Sequence, residues 1–249
     1  MPMYNIFFSL NSSYTLYGKL FMSSLYSVVN LNKVDRIIIA DTGLNKKDRA
    51  YFESLNKVDI LETNLNSDFN EGGTWGKGWQ SVVTSKAKFL FEALKKYTTT
   101  TVMIDADCMF LKDIEPLIGE SSIQLCYRGD EKSDNPYLGS YVVFKPTQES
   151  FYFLTQWIKN IEQNSSNKAK ESPMLAKTVS ELNSVVSNIP RKKVSCYTIK
   201  EYNEDPDNTF IAHFKGGSLS SDIKTDIKKR IYGTHGFDKL VEKYLLEYV

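Results

Sequence analysis

A surplus of positive charge, paired cysteines, long apolar runs and glycine-rich phosphate signatures are all missing from this sequence of 249 residues. Lysine plus arginine (31) nearly balances aspartate plus glutamate (30), so there is no electrostatic footprint for nucleic acid. The three cysteines, Cys108, Cys126 and Cys196, form no C-x-x-C pair, and any disulfide scheme leaves one over. Each lies in or beside an apolar run, where a free thiol behaves as a small hydrophobe, so the expectation is a reducing, cytoplasmic setting. No run approaches the length of a membrane span. The opening M-P-M-Y-N-I-F-F-S-L-N has no basic n-region and no long apolar h-region, and does not read as a signal peptide. Neither G-x-G-x-x-G after a strand nor G-x-x-x-x-G-K-[ST] occurs, which disfavours dinucleotide and Walker-type phosphate sites.

What is present alternates strand and helix patterns. Strands are expected at Tyr4–Leu10, Asp35–Ala40 and Val58–Glu62, with helices at Tyr14–Asn30 and Asn45–Asn56 between them. Such alternation argues a parallel sheet with right-handed crossovers, whose ligands bind beyond the carboxyl ends of the strands. Further on, strands are expected at Ser122–Tyr127 and Leu138–Lys145, helices at Glu149–Ile161 and Pro173–Val186, and a short strand at Arg191–Tyr197. Residues 66–78 and 163–172 read as polar loops. The length suits one α/β domain with an ample core.

The most chemically loaded stretch is T-V-M-I-D-A-D-C-M-F, residues 101–110. An apolar strand leads into Asp105-Ala106-Asp107, and a period of two would set both carboxylates on one face of the strand end. Two carboxylates so placed repel unless a cation lies between them, and Mg²⁺ or Mn²⁺ commonly takes carboxylates together with substrate phosphates. The helix Trp79–Tyr97 carries an apolar stripe through Val82, Val83, Phe89, Leu90, Ala93 and Leu94. Lys86 falls in the middle of that stripe, where an ammonium must snorkel out or meet an anion. Lys86 is expected to face the site, and Lys86→Met is expected to preserve or raise stability while weakening ligand binding. Late in the chain, F-I-A-H-F-K-G-G-S places His213, Lys215 and Gly216-Gly217 at the end of a short strand. That joins a metal ligand, a point cation for phosphate oxygens and a turn whose N–H groups can approach an anion.

With D-A-D after an apolar strand, S-K-A-K on the preceding helix and a late H-F-K-G, the chain resembles the nucleotide-sugar-dependent glycosyltransferases of the GT-A fold. The nearest resemblance is to the glycogenin and bacterial lipopolysaccharide galactosyltransferase group. The opening F-F-S-L-N-S-S-Y and the I-I-I-A-D-T-G-L of the second strand are similar to that group as well. The resemblance covers roughly residues 4–220 and implies a Rossmann-like GT-A fold with a mixed, mainly parallel central sheet flanked by helices; a single such domain over residues 1–249 is expected, with 222–249 a C-terminal helical extension. It implies a Mn²⁺ or Mg²⁺ ion on Asp105, Asp107 and His213. Leu10, Asn11, Tyr14, Lys86, Asp105, Ala106, Lys215 and Gly216 would hold the donor nucleotide sugar, a UDP-sugar being expected. Lys86, Glu171 and Ser140 are the candidate catalytic residues. Leu138-Gly139-Ser140 departs from the group's Asn-Ser-Gly turn, and Glu171-Ser172-Pro173 stands where it carries an Asp-Gln pair.

The implied activity is a hexosyl transfer, retaining by resemblance, from a nucleoside-diphosphate sugar to a glycan or lipid-linked acceptor. Two alternatives stay open: a sugar-phosphate nucleotidyltransferase, whose glycine-rich loop S-L-N-S-S-Y lacks, and a non-catalytic nucleotide- or glycan-binding relative. The terminal F-D-K-L-V-E-K-Y-L-L-E-Y-V is amphipathic and is expected to pack on the domain, with a peripheral membrane or dimer contact as the other use.

Overall fold

The computed structural model describes residues 3–65, 77–129, 135–164, 171–184, 186–214 and 236–246, without the side chains of 77–80 and 246. Strands are β1 (Tyr4–Leu10), β2 (Val34–Asp41), β3 (Val58–Glu62), β4 (Thr100–Ile104), β5 (Cys108–Phe110), β6 (Ile123–Tyr127), β7 (Tyr137–Phe144), β8 (Ser187–Pro190) and β9 (Ile211–His213). Helices are α1 (Thr15–Val28), α2 (Lys46–Glu53), α3 (Lys77–Tyr97), α4 (Gln148–Gln163), α5 (Glu171–Leu182), α6 (Arg191–Val194), α7 (Ile199–Glu204) and α8 (Asp238–Leu246).

Among the described residues, seven strands form one sheet in the order β3-β2-β1-β4-β7-β6-β8. All neighbours run parallel except β7, which is antiparallel to both β4 and β6. The sheet is therefore mixed and mainly parallel, as the α/β alternation predicts. Its strands are apolar on both faces because helices cover both sides. Ile6, Phe8 and Leu10 of β1 face α1 and α2 through Phe21, Met22, Leu25 and Phe52. Phe7, between them, faces the other layer, where α3, α4 and α5 supply Leu90, Leu94, Phe153, Trp157 and Leu175. A second, two-stranded sheet pairs β5 with β9, and Cys196 bridges to Ala212 on the far side of β9. Helix α8 packs on α1, burying Val241 and Tyr244 with Tyr17 and Leu20, and the Ser23 hydroxyl donates to the Tyr244 carbonyl.

Three local expectations change. The aspartates do not share a strand face: β4 ends at Ile104, and Asp105–Asp107 form the turn into β5, so turn geometry rather than pleat alternation orients Asp107. Helix α5 begins at Glu171 instead of Pro173, because a proline in the first turn lacks only an N–H that the helix does not need there. The stretch expected as a strand over Arg191–Tyr197 opens as α6. The preceding residues form β8 along β6, and Pro190 both closes that strand and starts the helix.

Candidate active site

The parallel neighbours β2, β1 and β4 all end at the same edge of the sheet, which gathers Asp41, Leu10-Asn11 and the Asp105 turn. Antiparallel β7 reaches past the end of β4, where Ile104 pairs with Tyr141. The Asp105 amide donates to the Ser140 carbonyl at 3.1 Å, fastening the two strand ends together. From the other side, the Phe214 amide donates to the Asp107 carbonyl at 2.9 Å and ties the turn to the end of β9.

His213 is buried at the end of β9, and its two ring nitrogens have separate tasks. Nδ1 lies 2.7 Å from the Ser195 hydroxyl. Nε2 lies 3.3 Å from Asp107 Oδ1 and 3.8 Å from Asp105 Oδ2. Two residues more than one hundred positions upstream thus approach the same histidine nitrogen. The donor set is two carboxylates and one imidazole nitrogen, which fits Mg²⁺ or Mn²⁺. Among the described residues, Asp107, Cys108 and His213 are the group whose ligand atoms all lie within 4.8 Å of one another. Burial, then the charges of Asp107 and Asp105, push the Cys108 thiol well above its ordinary pKa. A protonated thiol is a poor ligand, so Asp105, Asp107 and His213 are the better holders of a hard cation.

Lys86 does not snorkel. It is only 7% exposed, and its ammonium lies 2.5 Å from Asp105 Oδ1 and 2.8 Å from Glu171 Oε1. Burial alone would lower its pKa, but the charges of Asp105 and Glu171 and their hydrogen bonds outweigh that and raise it, so the group stays cationic. Asp105 thereby links two clusters, with one oxygen on the lysine and the other toward the histidine. Glu171, 6% exposed, is wedged over the backbone of Gly139: a Cβ added there would lie 2.5 Å from Glu171 Cδ. Trp157 Nε1 donates to the Glu171 carbonyl at 3.1 Å, and the Gly139 amide donates to the Ser172 hydroxyl at 3.2 Å. These contacts hold the start of α5 against the start of β7.

Lys86, Asp105, Asp107, Glu171 and His213 therefore form one connected cluster. Ser140 joins it through Ser195, its hydroxyl donating to that of Ser195 at 3.4 Å. Ala106, nearly buried, sits inside the turn. The candidates Leu10, Asn11 and Tyr14 lie between the end of β1 and the start of α1, at the same sheet edge. The Leu10 side chain fills the space above Gly18, where an added Cβ would meet Leu10 Cδ2 at 2.7 Å, so only its backbone borders the edge. The Asn11 carboxamide accepts from the Tyr14 amide at 3.2 Å, and the Tyr14 ring stacks obliquely near Tyr17, centroids 5.5 Å apart. Lys215, Gly216, Gly217 and most of the 66–78 loop lie outside the described residues.

Sequence reasoning missed the support around His213. Arg191 forks onto Glu201 at 2.9 and 3.1 Å, donates to the Ser195 carbonyl at 3.2 Å, and sits over the Tyr197 ring. Glu201 also accepts from the Tyr197 amide at 2.9 Å, and the Tyr197 ring meets His213 edge-on at 5.8 Å. Burial would raise the Glu201 pKa, but the Arg191 and Tyr197 hydrogen bonds pull it below the ordinary value. Nothing in R-K-K-V-S-C-Y as a string signals this.

No family model and no curated protein matches the sequence. Solved structures do match. The LgtC galactosyltransferase, in complex with donor and acceptor sugar analogs, aligns with a TM-score of 0.62 at 12% identity, over 96% of each chain. The apo structure of the bifunctional glycosyltransferase WbbM aligns with a TM-score of 0.64 at 11% identity, over 98% of this chain and 52% of that one. The present chain thus spans about half the length of WbbM. A glycosyltransferase involved in glycosylation of the major capsid of PBCV-1 aligns at 0.53, with 13% identity over 90% of this chain and 98% of that one. The chain has the GT-A-like fold of these enzymes.

Proposed function

We propose that this chain is a metal-dependent glycosyltransferase. It would move a hexosyl unit from a nucleoside-diphosphate sugar, with a UDP-sugar as expected donor, to a glycan or lipid-linked acceptor. The observation that supports this best is the convergence of Asp105 Oδ2, Asp107 Oδ1 and His213 Nε2 at the carboxyl edge of a GT-A-like sheet. A divalent cation held there would neutralise the departing diphosphate.

The chain's own groups would do the rest. Lys86 keeps a positive charge beside Asp105 and Glu171, which steadies the first ligand and holds the buried carboxylate in place. Glu171 and Ser140 flank that lysine and the metal turn at the start of β7, where a donor sugar would meet a carboxylate and a hydroxyl. Lys215 and Gly216 remain proposed diphosphate contacts. The site would lie within one catalytic domain over residues 1–249, with 222–249 its C-terminal helical extension. No described helix is long and apolar enough to cross a membrane, and the apolar face of α8 is already buried on α1. That burial favours the packing on the domain expected of this helix over a peripheral membrane or dimer contact.

The test is hydrolysis and transfer across a panel of nucleotide sugars, with Mn²⁺, with Mg²⁺ and with EDTA. Metal-dependent release of the nucleoside diphosphate from one donor supports the reading. Equal release in EDTA, or pyrophosphate release from a nucleoside triphosphate with a sugar phosphate, removes it.

A further inference from the structure

We infer that Ser195 is a positioning residue for His213, holding the imidazole so that Nε2 and not Nδ1 faces the two aspartates, and that Ser140 completes this support. The inference rests on the proposed metal site and deepens it.

An imidazole that ligates a metal through one nitrogen normally donates the N–H of the other to a fixed acceptor, and this sets both tautomer and ring angle. Here the nitrogen turned away from the aspartates is Nδ1, 2.7 Å from Ser195 Oγ. With Nε2 ligating, Nδ1 carries the proton and the Ser195 oxygen accepts it. The hydrogen of Ser195 must then go elsewhere. The Ser140 oxygen, 3.4 Å away, is within reach of it. The same pair can also run the other way, with Ser140 donating to Ser195. Two hydroxyls in series can reverse direction without moving a heavy atom, because each is both donor and acceptor.

The surroundings make the arrangement demanding. Ser195 is fully buried, and Ser140 and His213 nearly so, so water cannot easily replace a lost partner. The ring has little freedom to turn. The His213 amide donates to the Cys196 carbonyl at 2.7 Å, the Ser195 amide donates to the Arg191 carbonyl at 2.7 Å, and Tyr197 stands against the ring edge. The Arg191–Glu201 pair thus fixes the backbone that presents the Ser195 hydroxyl. Ser140 lies at the start of β7, beside Gly139 and Glu171, so the hydroxyl pair also joins the metal ligand to the strand end flanking the proposed sugar pocket.

The test uses metal binding rather than turnover. Mn²⁺ titration calorimetry of Ser195→Ala should show affinity about 10- to 100-fold weaker than wild type, the usual cost of losing such a partner. Ser195→Thr, which restores the hydroxyl, should recover most of it. Affinity of Ser195→Ala within twofold of wild type overturns the inference. Should neither variant fold, the wild type decides. Long-range ¹H–¹⁵N spectra of the Cd²⁺-loaded protein, assigned with His235→Gln since the chain has only two histidines, should show His213 protonated at Nδ1 and ligated at Nε2. Ligation through Nδ1 overturns it. Absence of any metal binding by wild type removes the metal site and this inference together. Metal binding that ignores Ser195 removes the inference alone.

Discussion

Replacing Lys86 by methionine separates a packing role from an electrostatic one. From the helical pattern, a methionine on an apolar stripe should be tolerated or stabilising. The structure reverses that expectation, because the ammonium sits between two carboxylates. Removing one partner of a buried ion pair typically costs about 3–5 kcal/mol, since a charge is left without compensation. Asp105, at 22% side-chain exposure, can turn to water; Glu171, at 8%, has less access. Glu171 can escape by binding a proton. Neutralising an ordinary glutamate at pH 7 costs about 3.7 kcal/mol, so the loss should settle near 3–4 kcal/mol. For a chain of this size that is a fall in Tm of roughly 7–14 °C.

The pH dependence identifies the cause. In the variant, the native state binds a proton between pH 7 and 5 that the unfolded chain does not, so its stability rises as pH falls, by about 2–3 kcal/mol. The wild type gains nothing comparable there. The raised pKa of Lys86 contributes stability that is complete below about 10.4 and is lost only in more alkaline solution. Urea unfolding of wild type, Lys86→Met, Glu171→Gln and the double variant at pH 7 and 5 reads this directly. The double variant should recover most of the loss at pH 7. A loss that is the same at both pH values, or that persists in the double variant, would refute the ion-pair argument and return Lys86 to a packing role.

Gly139→Ala should displace Glu171, with a cost of about 1–3 kcal/mol as for other overpacked sites, and should weaken donor binding in calorimetry more than Mn²⁺ binding. Glu201→Gln should cost about 1–3 kcal/mol at pH 7 through the broken Arg191 fork. The Glu201 pKa is depressed, so its contribution is present above about pH 4.3 and is lost as pH falls through the lower folded-state value; wild type should therefore lose this increment on acidification while the variant does not. Asp107→Asn should abolish Mn²⁺ binding and metal-dependent turnover with the fold intact by circular dichroism, and adding His213→Ala should cost less than the sum of the two changes, because both remove the same ion.

The main-sheet strands from β1 to β7 were legible because their information is local. Val58–Glu62 and Tyr4–Leu10 stand where their apolar runs end. Lys86 was legible through helical phase, since one charge among Val82, Leu90 and Ala93 has to be answered by another. The answering group, Glu171, was visible only as a departure from a related motif. Its burial depends on α5 starting before Pro173 and on Gly139 having no side chain, neither of which a linear pattern reveals. Ser195 was invisible for a similar reason. It meets His213 only because β9 lies between β5 and the Cys196 segment, and nothing in the chain between these two residues, 18 positions apart, encodes that neighbourhood.

The seating of α8 on α1 has a consequence for biosynthesis. Helix α1 ends at Val28 and α8 begins at Asp238, so 210 positions separate the partners. A ribosome adding about 5–20 residues per second needs roughly 10–40 s to cover that distance. Throughout that interval the Tyr17 and Leu20 face of α1 lacks Val241 and Tyr244, and Ser23 lacks the carbonyl it eventually meets. Among the described helices the earliest is covered by the latest, so a nascent chain leaves the Tyr17 and Leu20 stripe open to holdase chaperones until α8 arrives.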